Sequence, residues 1–263
     1  MDRRKLWRNV TRIHKWAGLV LGAQIILWFA SGLFMSFFHI DKVHGDHIAE
    51  ERTWPLRMEQ MAPFDDVQNA YFAYQTQTDC DVDTDIQSCF HVALREIKLH
   101  SALGTPVWEF NNGETQAYFS GNPVTIWQGL SKDKIREAAH AYYKGDAKIN
   151  KAVLFTDIVP KDFRKDIPIW QISFDDKSHT RLYIDPIDGA LINVRTRLWR
   201  TFDFMWMLHI MDYKERDNIN LWWLKLAAFA ALMFALSGAA LVTHRVFMRP
   251  KKIRVKKIRP PKT

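Results

Sequence analysis

An apolar run of membrane length near the start of the chain constrains the fold more than any other feature. The run extends from Trp16 to Phe38, contains no ionisable residue, and is bracketed by His14 and His39. A second run extends from Leu221 to Thr243 and is interrupted only by Lys225, near its start. A bilayer core of about 30 Å needs about 20 helical residues, and a lysine near a helix end can place its ammonium group in the interface. The two runs therefore predict two transmembrane helices, over residues 16–38 and 221–243.

The first run is predicted to remain in the mature protein as an anchor. Basic residues precede it, as they do in a signal peptide. However, its apolar part is much longer than the roughly 7–15 residues of a signal peptide, and no small-x-small cleavage site follows it. We therefore interpret residues 16–38 as a retained transmembrane helix.

The two ends of the chain are basic. Residues 1–15 contain six lysines and arginines against one aspartate, and residues 245–263 contain nine and no acidic residue. Because the whole chain carries a net charge of only +8, the part between the two ends is net acidic. The positive-inside rule therefore predicts that the tails, residues 1–15 and 244–263, are cytoplasmic and that the middle of the chain is exported.

The basic C-terminal tail is predicted to contact lipid rather than nucleic acid. Its sequence, RPKKIRVKKIRPPKT, directly follows a predicted span and contains no aromatic residue between the charges. Lysines and arginines bind the phosphates of either partner, but a basic segment beside a membrane helix meets anionic headgroups first. We therefore expect the lipid bilayer, and no nucleic acid, as the partner of this tail.

The only two cysteines, Cys80 and Cys89, lie in the exported part. In an oxidising compartment such a pair is expected to form a disulfide. Closing this short loop would stabilise the fold by about 2–3 kcal/mol. The spacing matches neither a zinc motif nor a CxxC redox motif, so a structural disulfide between Cys80 and Cys89 is the prediction.

The exported part reads as two units of similar pattern, residues 63–130 and residues 131–197. Each opens with a helical pattern, for which Asp65 and Ser131 are the N-cap candidates, and continues with alternating apolar and polar residues typical of strands. Hairpin turns are predicted at Asn111–Gly113 and Asp175–Asp176 and in the DPIDG segment. A helix followed by three or four antiparallel strands, present twice, predicts an α+β domain.

Two further segments connect this domain to the spans. Residues 39–62 are predicted to be a linker, and residues 198–220 an interfacial amphipathic helix and loop, rich in methionine and aromatic residues. The exported part contains no GxSxG, HExxH, P-loop or GxGxxG motif. The sequence therefore shows no catalytic motif of a soluble enzyme.

Three segments resemble the PepSY-associated transmembrane family. They are RIHKWAGLVLGAQIILWFASGLFM, PIWQISFDDKSHTRLYIDPIDGALI, and LHIMDY followed by FALSGAALVTHRVF. The resemblance implies a bacterial inner-membrane protein with a periplasmic PepSY domain. The expected fold is thus membrane α plus periplasmic α+β, with two antiparallel transmembrane helices flanking two PepSY-like repeats, each a helix plus an antiparallel sheet. Many relatives have four or more spans, whereas two are expected here.

The resemblance also implies that His14, His209 and His244 match the membrane-region histidines of the family. Several members take part in iron acquisition, and some are haem-binding reductases of ferric siderophores. Because the two spans run antiparallel, His14 and His244 are expected at about the same depth. They are the predicted ligands of a b-type haem near the cytoplasmic face.

A second haem is predicted near the periplasmic face, held by His209 with His39 or with a histidine of a second chain. The 25 residues from His14 to His39 return the helix to within about 20° and rise about 37 Å, so both lie on one face, near opposite surfaces. Alternatives remain open for these residues. Histidine is tolerated at membrane interfaces without any ligand role, and the loop after His39, with its other histidines and aspartates, is either solvated or a metal site.

Three functions are compatible with the sequence. The first is a haem-dependent electron-transfer subunit, or reductase, that passes electrons to a periplasmic acceptor such as a ferric siderophore. Its electrons would come from quinol or from a membrane electron donor, since the chain has no flavin or nicotinamide motif. The second is a non-catalytic, membrane-anchored PepSY module that binds a periplasmic protein, for example to restrain a peptidase. The third is an accessory subunit of a homodimer or larger membrane complex.

Overall fold

The computed structural model describes residues 3–78, 94–165 and 167–248. The chain divides into two compact units. One comprises Met1–Phe37 and Phe202–Thr263 and is called the helical unit here, and the other, Phe38–Thr201, is called the sheet unit. The predicted disulfide between Cys80 and Cys89 lies outside the described residues.

The helical unit contains the two long apolar helices that the sequence predicts. Helix α1 is Arg3–Ser36 and helix α6 is Trp222–Thr243, which continues into a π-helical turn at His244–Met248. Within them, Lys5–Ser36 and Trp222–Phe247 are long and apolar enough to cross a membrane. Their apolar side chains are mostly exposed, as expected for helices that face lipid. Two membrane helices and a bilayer as partner are therefore confirmed.

Helix α1 begins before the predicted span. The segment RRKLWRNVTRIHK is already helical, because lysine, arginine and leucine have high helix propensity and the segment contains neither glycine nor proline. The helical unit also contains the end of helix α5, Arg197–Ile210. The carboxylate of Asp203, on this helix, pairs with Arg216 at 2.5 Å, which fixes the loop that leads to α6.

The sheet unit contains two antiparallel four-stranded sheets, each preceded by a helix in the chain. A short helix α2, Ile40–His44, and a 3₁₀ turn, Met58–Gln60, lie in the predicted linker. Helix α3, Phe64–Thr78, precedes a first sheet with the order β1-β2-β3-β4, and helix α4, Lys132–Tyr142, precedes a second with the order β5-β6-β7-β8. The strands are β1 Glu96–Ala102, β2 Thr105–Asn111, β3 Gln116–Ser120, β4 Thr125–Ile126, β5 Ile149–Phe155, β6 Ile169–Phe174, β7 Arg181–Ile184 and β8 Leu191–Arg195. The predicted combination of helices with antiparallel sheets is confirmed.

The two predicted N-caps have different outcomes. The hydroxyl of Ser131 accepts a hydrogen bond from the Lys134 amide at 3.4 Å, so Ser131 caps α4 as predicted. Asp65 is not a cap, because α3 already begins at Phe64. Asp65 lies in the first helical turn instead, where its negative charge complements the helix dipole.

Each helix packs on one face of its sheet and forms a separate apolar core. In the first core the ring of Tyr71, on α3, stacks on Phe110 of β2 with ring centroids 4.5 Å apart. In the second, Ile135 and neighbouring alanines of α4 pack against Ile172 and Leu182. All these side chains are buried, which confirms the periodicity read from the sequence.

The DPIDG turn joins the two sheets. It connects β7 to β8, as predicted, and the indole nitrogen of Trp127 donates to the carbonyl of Ile187 at 2.9 Å. The hydroxyl of Tyr142, on α4, donates to the carbonyl of Gly189 at 2.7 Å. Because Trp127 directly follows the first sheet and Tyr142 precedes the second, this turn holds both halves of the sheet unit together.

Candidate functional site

His14 packs against the serine and glycine of α6. Its Nδ1 lies 2.7 Å from the hydroxyl of Ser237, and its ring stacks on Phe234 with centroids 4.3 Å apart and planes 5° from parallel. A Cβ added to Gly238 would lie 3.1 Å from the His14 Cε1. Hydrogen bond, stacking and close approach together hold the imidazole in one orientation between α1 and α6.

His209 has the same kind of environment at the other end of α1. Its Nδ1 lies 3.1 Å from the hydroxyl of Ser31, which is almost fully buried. A Cβ at Gly32 would lie 3.5 Å from the His209 Cε1. Ser31 follows His14 by 17 residues, a rise of about 26 Å along the helix. The two histidine sites therefore lie near opposite ends of α1.

Each of the two serine hydroxyls contacts a backbone carbonyl as well as the histidine ring. Ser237 donates its only hydroxyl proton to the carbonyl of Phe234, 2.7 Å away, and Ser31 donates its own to the carbonyl of Leu27, 2.6 Å away. With the serine protons placed in this way, each serine oxygen accepts and the imidazole donates from Nδ1. In that arrangement the lone pair is on Nε2, which has no hydrogen-bond partner among the residues that the structure describes.

The sequence signal for both sites is a Ser-Gly dipeptide in each long helix. The dipeptide reads Ser31–Gly32 in α1 and Ser237–Gly238 in α6. Sequence reasoning did not connect either dipeptide to a histidine. In each case the serine contacts Nδ1 and the following glycine lies beside the ring, more tightly at Gly238 than at Gly32.

His14 and His244 do not lie at the same depth. Ser237 faces His14, and His244 follows Ser237 by seven residues, a rise of about 10 Å. The ring of His244 instead stacks on Trp7, with centroids 3.9 Å apart. The helices are thus offset by about two turns from the alignment that the apolar run lengths suggested.

His39 lies in the sheet unit, directly before α2. Its ring pairs with the carboxylate of Asp41 at 3.1 Å, and 78% of its side chain is exposed. Within the described residues, no three side chains among histidine, cysteine, aspartate and glutamate are arranged to hold a metal ion. A ligand role for His39 stays a prediction, as does one for His244, and a carboxylate metal site in this loop has no support.

The residues around His14 and His209 fit haem iron in their chemistry. A neutral imidazole with Nδ1 engaged and Nε2 free is the form that ligates iron, and a hydrogen bond to Nδ1 is the usual outer-shell support of such a ligand. Both lie on helices whose surroundings are apolar. Among the described residues, however, each site contains only one histidine. The chain therefore offers one axial ligand at each site and not the two that a bis-histidine haem needs.

One family model matches nearly the whole chain. Its description is PepSY-associated TM region, and the match covers residues 11–262, including His14, His209 and His244. No curated protein and no solved structure matches the chain. The match includes both long apolar helices. The chain therefore belongs to the family of proteins with the PepSY-associated transmembrane region.

Proposed function

We propose that this protein is a bacterial inner-membrane electron-transfer subunit that binds b-type haem through His14 and through His209. In this proposal the tails are cytoplasmic and the sheet unit is periplasmic, with its two helix-plus-sheet halves as PepSY-like repeats. The electron donor would be quinol or a membrane protein, and the acceptor a periplasmic compound such as a ferric siderophore. The haem iron, when bound, supplies the one-electron redox chemistry.

The observation that carries the proposal is the shared arrangement of the two histidines. In each, a serine hydroxyl contacts Nδ1 and Nε2 has no hydrogen-bond partner among the described residues, which supports a ligand at each Nε2. Ser237 and Ser31 contact the rings at Nδ1 and leave Nε2 on the other side of each ring. Phe234 stacks on one ring and limits its rotation.

The contribution of the chain is orientation and exclusion of water. Gly238 permits the His14 ring to lie against α6, where a Cβ would come within 3.1 Å of Cε1, and a Cβ at Gly32 would be in ordinary contact with the His209 ring, at 3.5 Å. The long apolar helices would keep water from the iron and thereby influence its potential. Because this chain supplies one histidine at each place, a second axial ligand would come from His244 or His39 of a second copy, from another subunit, or from no residue at all.

Visible spectroscopy of the full-length protein tests the proposal. The protein is extracted in detergent from cells supplied with a haem precursor, and its spectrum is recorded before and after dithionite reduction. We expect a Soret band and sharp reduced α-bands. His14→Ala and His209→Ala should each lose about half of the bound haem, since each removes the histidine of one of the two proposed haem sites, and the double variant should lose nearly all of it.

The matched control is His140→Ala, because His140 is exposed on α4 and its ring contact is with Phe174. It should retain the full haem content. A colourless protein from haem-replete cells would refute the proposal, and so would a double variant with an unchanged spectrum. Folding of each variant is checked independently by thermal unfolding, so that loss of haem is not confused with loss of structure.

A further inference from the structure

The second sheet carries a row of basic side chains on the face opposite α4. Lys151 of β5 pairs with Ser173 of β6, Ser173 with Arg181 of β7, and Arg181 with Arg195 of β8. Residues directly opposite each other in antiparallel strands point to the same face of a sheet. Because Ile172, next to Ser173, packs on α4, the row points to the other face. Three cationic side chains and one hydroxyl therefore cross all four strands on that face.

One described carboxylate, that of Asp162 in the loop after β5, contacts the cations of this row. It accepts a hydrogen bond from Nη1 of Arg181 at 3.0 Å, and the backbone carbonyl of Asp162 accepts one from Nε of Arg195 at 2.8 Å. Arg200 approaches the same carboxylate at 3.7 Å. Burial, and then the charge of Arg181, lower the pKa of Arg200. Since like charges on opposite residues of neighbouring strands destabilise a sheet, these contacts favour a further anion on this face.

A cleft of about 280 Å³ lies over the part of the row that is nearest β5. Lys151, Ser173, Arg181 and His179 line it, and none of the described residues around it is acidic. Clefts for drug-sized ligands usually begin at about 300 Å³. The size therefore favours a small molecule, and the charge of the walls favours an anion.

The groups that line this cleft have accessible donors left for a ligand. Lys151 is exposed and Ser173 is half-buried, and neither the ammonium nor the hydroxyl has a hydrogen-bond partner within the part of the chain that the structure describes. The guanidinium of Arg181 bonds to Asp162 through Nη1, while 40% of the Arg181 side chain is exposed. Its Nε and Nη2 remain for another acceptor.

We propose that this cleft binds a small oxyanion with two negative charges, such as a phosphate monoester. Strands β5 and β7 are two strand spacings apart, about 10 Å, and Ser173 lies between Lys151 and Arg181 in the row. The ammonium and the guanidinium can therefore contact one anion from two sides, with the hydroxyl beneath it. Charge-assisted hydrogen bonds from lysine and arginine to phosphate are short and strong. The inference concerns the sheet unit and does not depend on haem binding.

Isothermal titration calorimetry with inorganic phosphate tests the proposal on the full chain in an uncharged detergent. The titration is done at pH 8, where phosphate is mostly a dianion, and at constant ionic strength. We expect saturable binding at one site. Lys151→Gln should weaken it about tenfold, because the variant loses one charge-assisted hydrogen bond, and Ser173→Ala should weaken it about fivefold. Lys132→Gln is the matched control, since it removes the same charge from an exposed position on α4.

A second titration separates a soluble ligand from a lipid headgroup. Short-chain phosphatidylglycerol carries its phosphate as a diester, with a single negative charge. Because the cleft presents two cations to one anion, we expect this lipid to bind at least fivefold more weakly than inorganic phosphate. Weaker binding of the lipid supports a soluble dianion as the ligand.

Three results would overturn the proposal. The first is no saturable binding of phosphate to a protein that thermal unfolding shows to be folded. The second is equal weakening by Lys151→Gln and Lys132→Gln, which would mean a general attraction of anions to a basic surface. The third is tighter binding of short-chain phosphatidylglycerol than of phosphate. The cleft would then bind a lipid headgroup and not a soluble dianion.

Discussion

The imidazole Nε2 of His100 lies 2.6 Å from a carboxylate oxygen of Glu109 on the neighbouring strand, and only 7% of the Glu109 side chain is exposed. On its other side, the His100 Nδ1 lies 3.7 Å from the carboxylate of Asp188, in the DPIDG turn. Tyr118 and Asp185 also face this group, and burial raises the pKa of Tyr118 to about 12 and raises the pKa of Asp185. One histidine of the first sheet therefore lies between two acids, one from each half of the sheet unit.

Replacing His100 should destabilise the sheet unit. His100→Ala leaves the nearly buried Glu109 without its partner, and we expect the free energy of unfolding to fall by about 1–3 kcal/mol. The additional change Glu109→Gln removes the unpaired charge and should restore part of this loss. Thermal unfolding of the solubilised chain, followed by circular dichroism, measures both effects. His140→Ala is the control, and an equal loss in that variant would contradict the role assigned to His100.

The sequence predicts the elements of this fold better than it predicts their contacts. The spans follow from the length of an apolar run, and the Ser131 cap and the DPIDG turn follow from local chemistry. The contact of His14 with Ser237 could not be predicted in the same way, because the register between two helices depends on packing along their whole length. Aligning the ends of the apolar runs placed His244 beside His14, whereas the contact of Gly238 with His14 sets an offset of two turns.

The sequence also did not predict the sites that are formed by residues distant from each other along the chain, and the reason is physical. Nothing in the local sequence around His209 shows that its partner is Ser31, which comes 178 residues earlier. The Ser-Gly dipeptides were visible in the sequence, but their meaning depends on which histidine the fold brings opposite each one.

Tyrosine ionisation should limit stability in alkali. Burial, followed by the nearby Asp176, raises the pKa of Tyr143 to about 12, and the pKa of Tyr118 is also raised to about 12, by burial and Glu109. The unfolded value is about 10. The stability linked to these hydroxyls is therefore complete below pH 10 and is lost as the pH rises from about 10 to 12.

Unfolding midpoints measured across this pH range, with tyrosinate absorbance recorded in parallel, check the expectation. Tyr143→Phe should reduce the loss of stability between pH 10 and 12, because the variant has no hydroxyl to ionise at that position. Tyr213→Phe is the control, since Tyr213 is more than half exposed. The same pH dependence in all three proteins would show that other groups govern alkaline unfolding.

Removing the serine behind His14 should weaken haem retention if His14 is a ligand. Ser237→Ala leaves Nδ1 without an acceptor and releases the ring, and loss of such an outer-shell partner commonly reduces affinity about 10–100-fold. Haem content after gel filtration and the dissociation rate in the presence of an apoprotein acceptor measure the effect. Ser36→Ala is the control, since the Ser36 hydroxyl donates within its own helix, to the carbonyl of Leu33. Equal haem loss in the two variants would argue against a specific role for Ser237.

The glycine beside His14 should be sensitive to a single methyl group, whereas a nearby glycine should not. A Cβ at Gly238 would lie 3.1 Å from the His14 Cε1, closer than ordinary contact, while a Cβ at Gly22 meets no atom within 4 Å. In a helix interior, glycine to alanine otherwise stabilises by up to about 1 kcal/mol. Gly22→Ala should therefore be neutral or stabilising in thermal unfolding, and Gly238→Ala should lose that benefit and displace the imidazole. The displacement is checked by NMR of the histidine ring resonances of the solubilised chain, with or without haem. Unchanged His14 resonances in Gly238→Ala would mean that α1 and α6 separate easily. The glycine would then not position the ring.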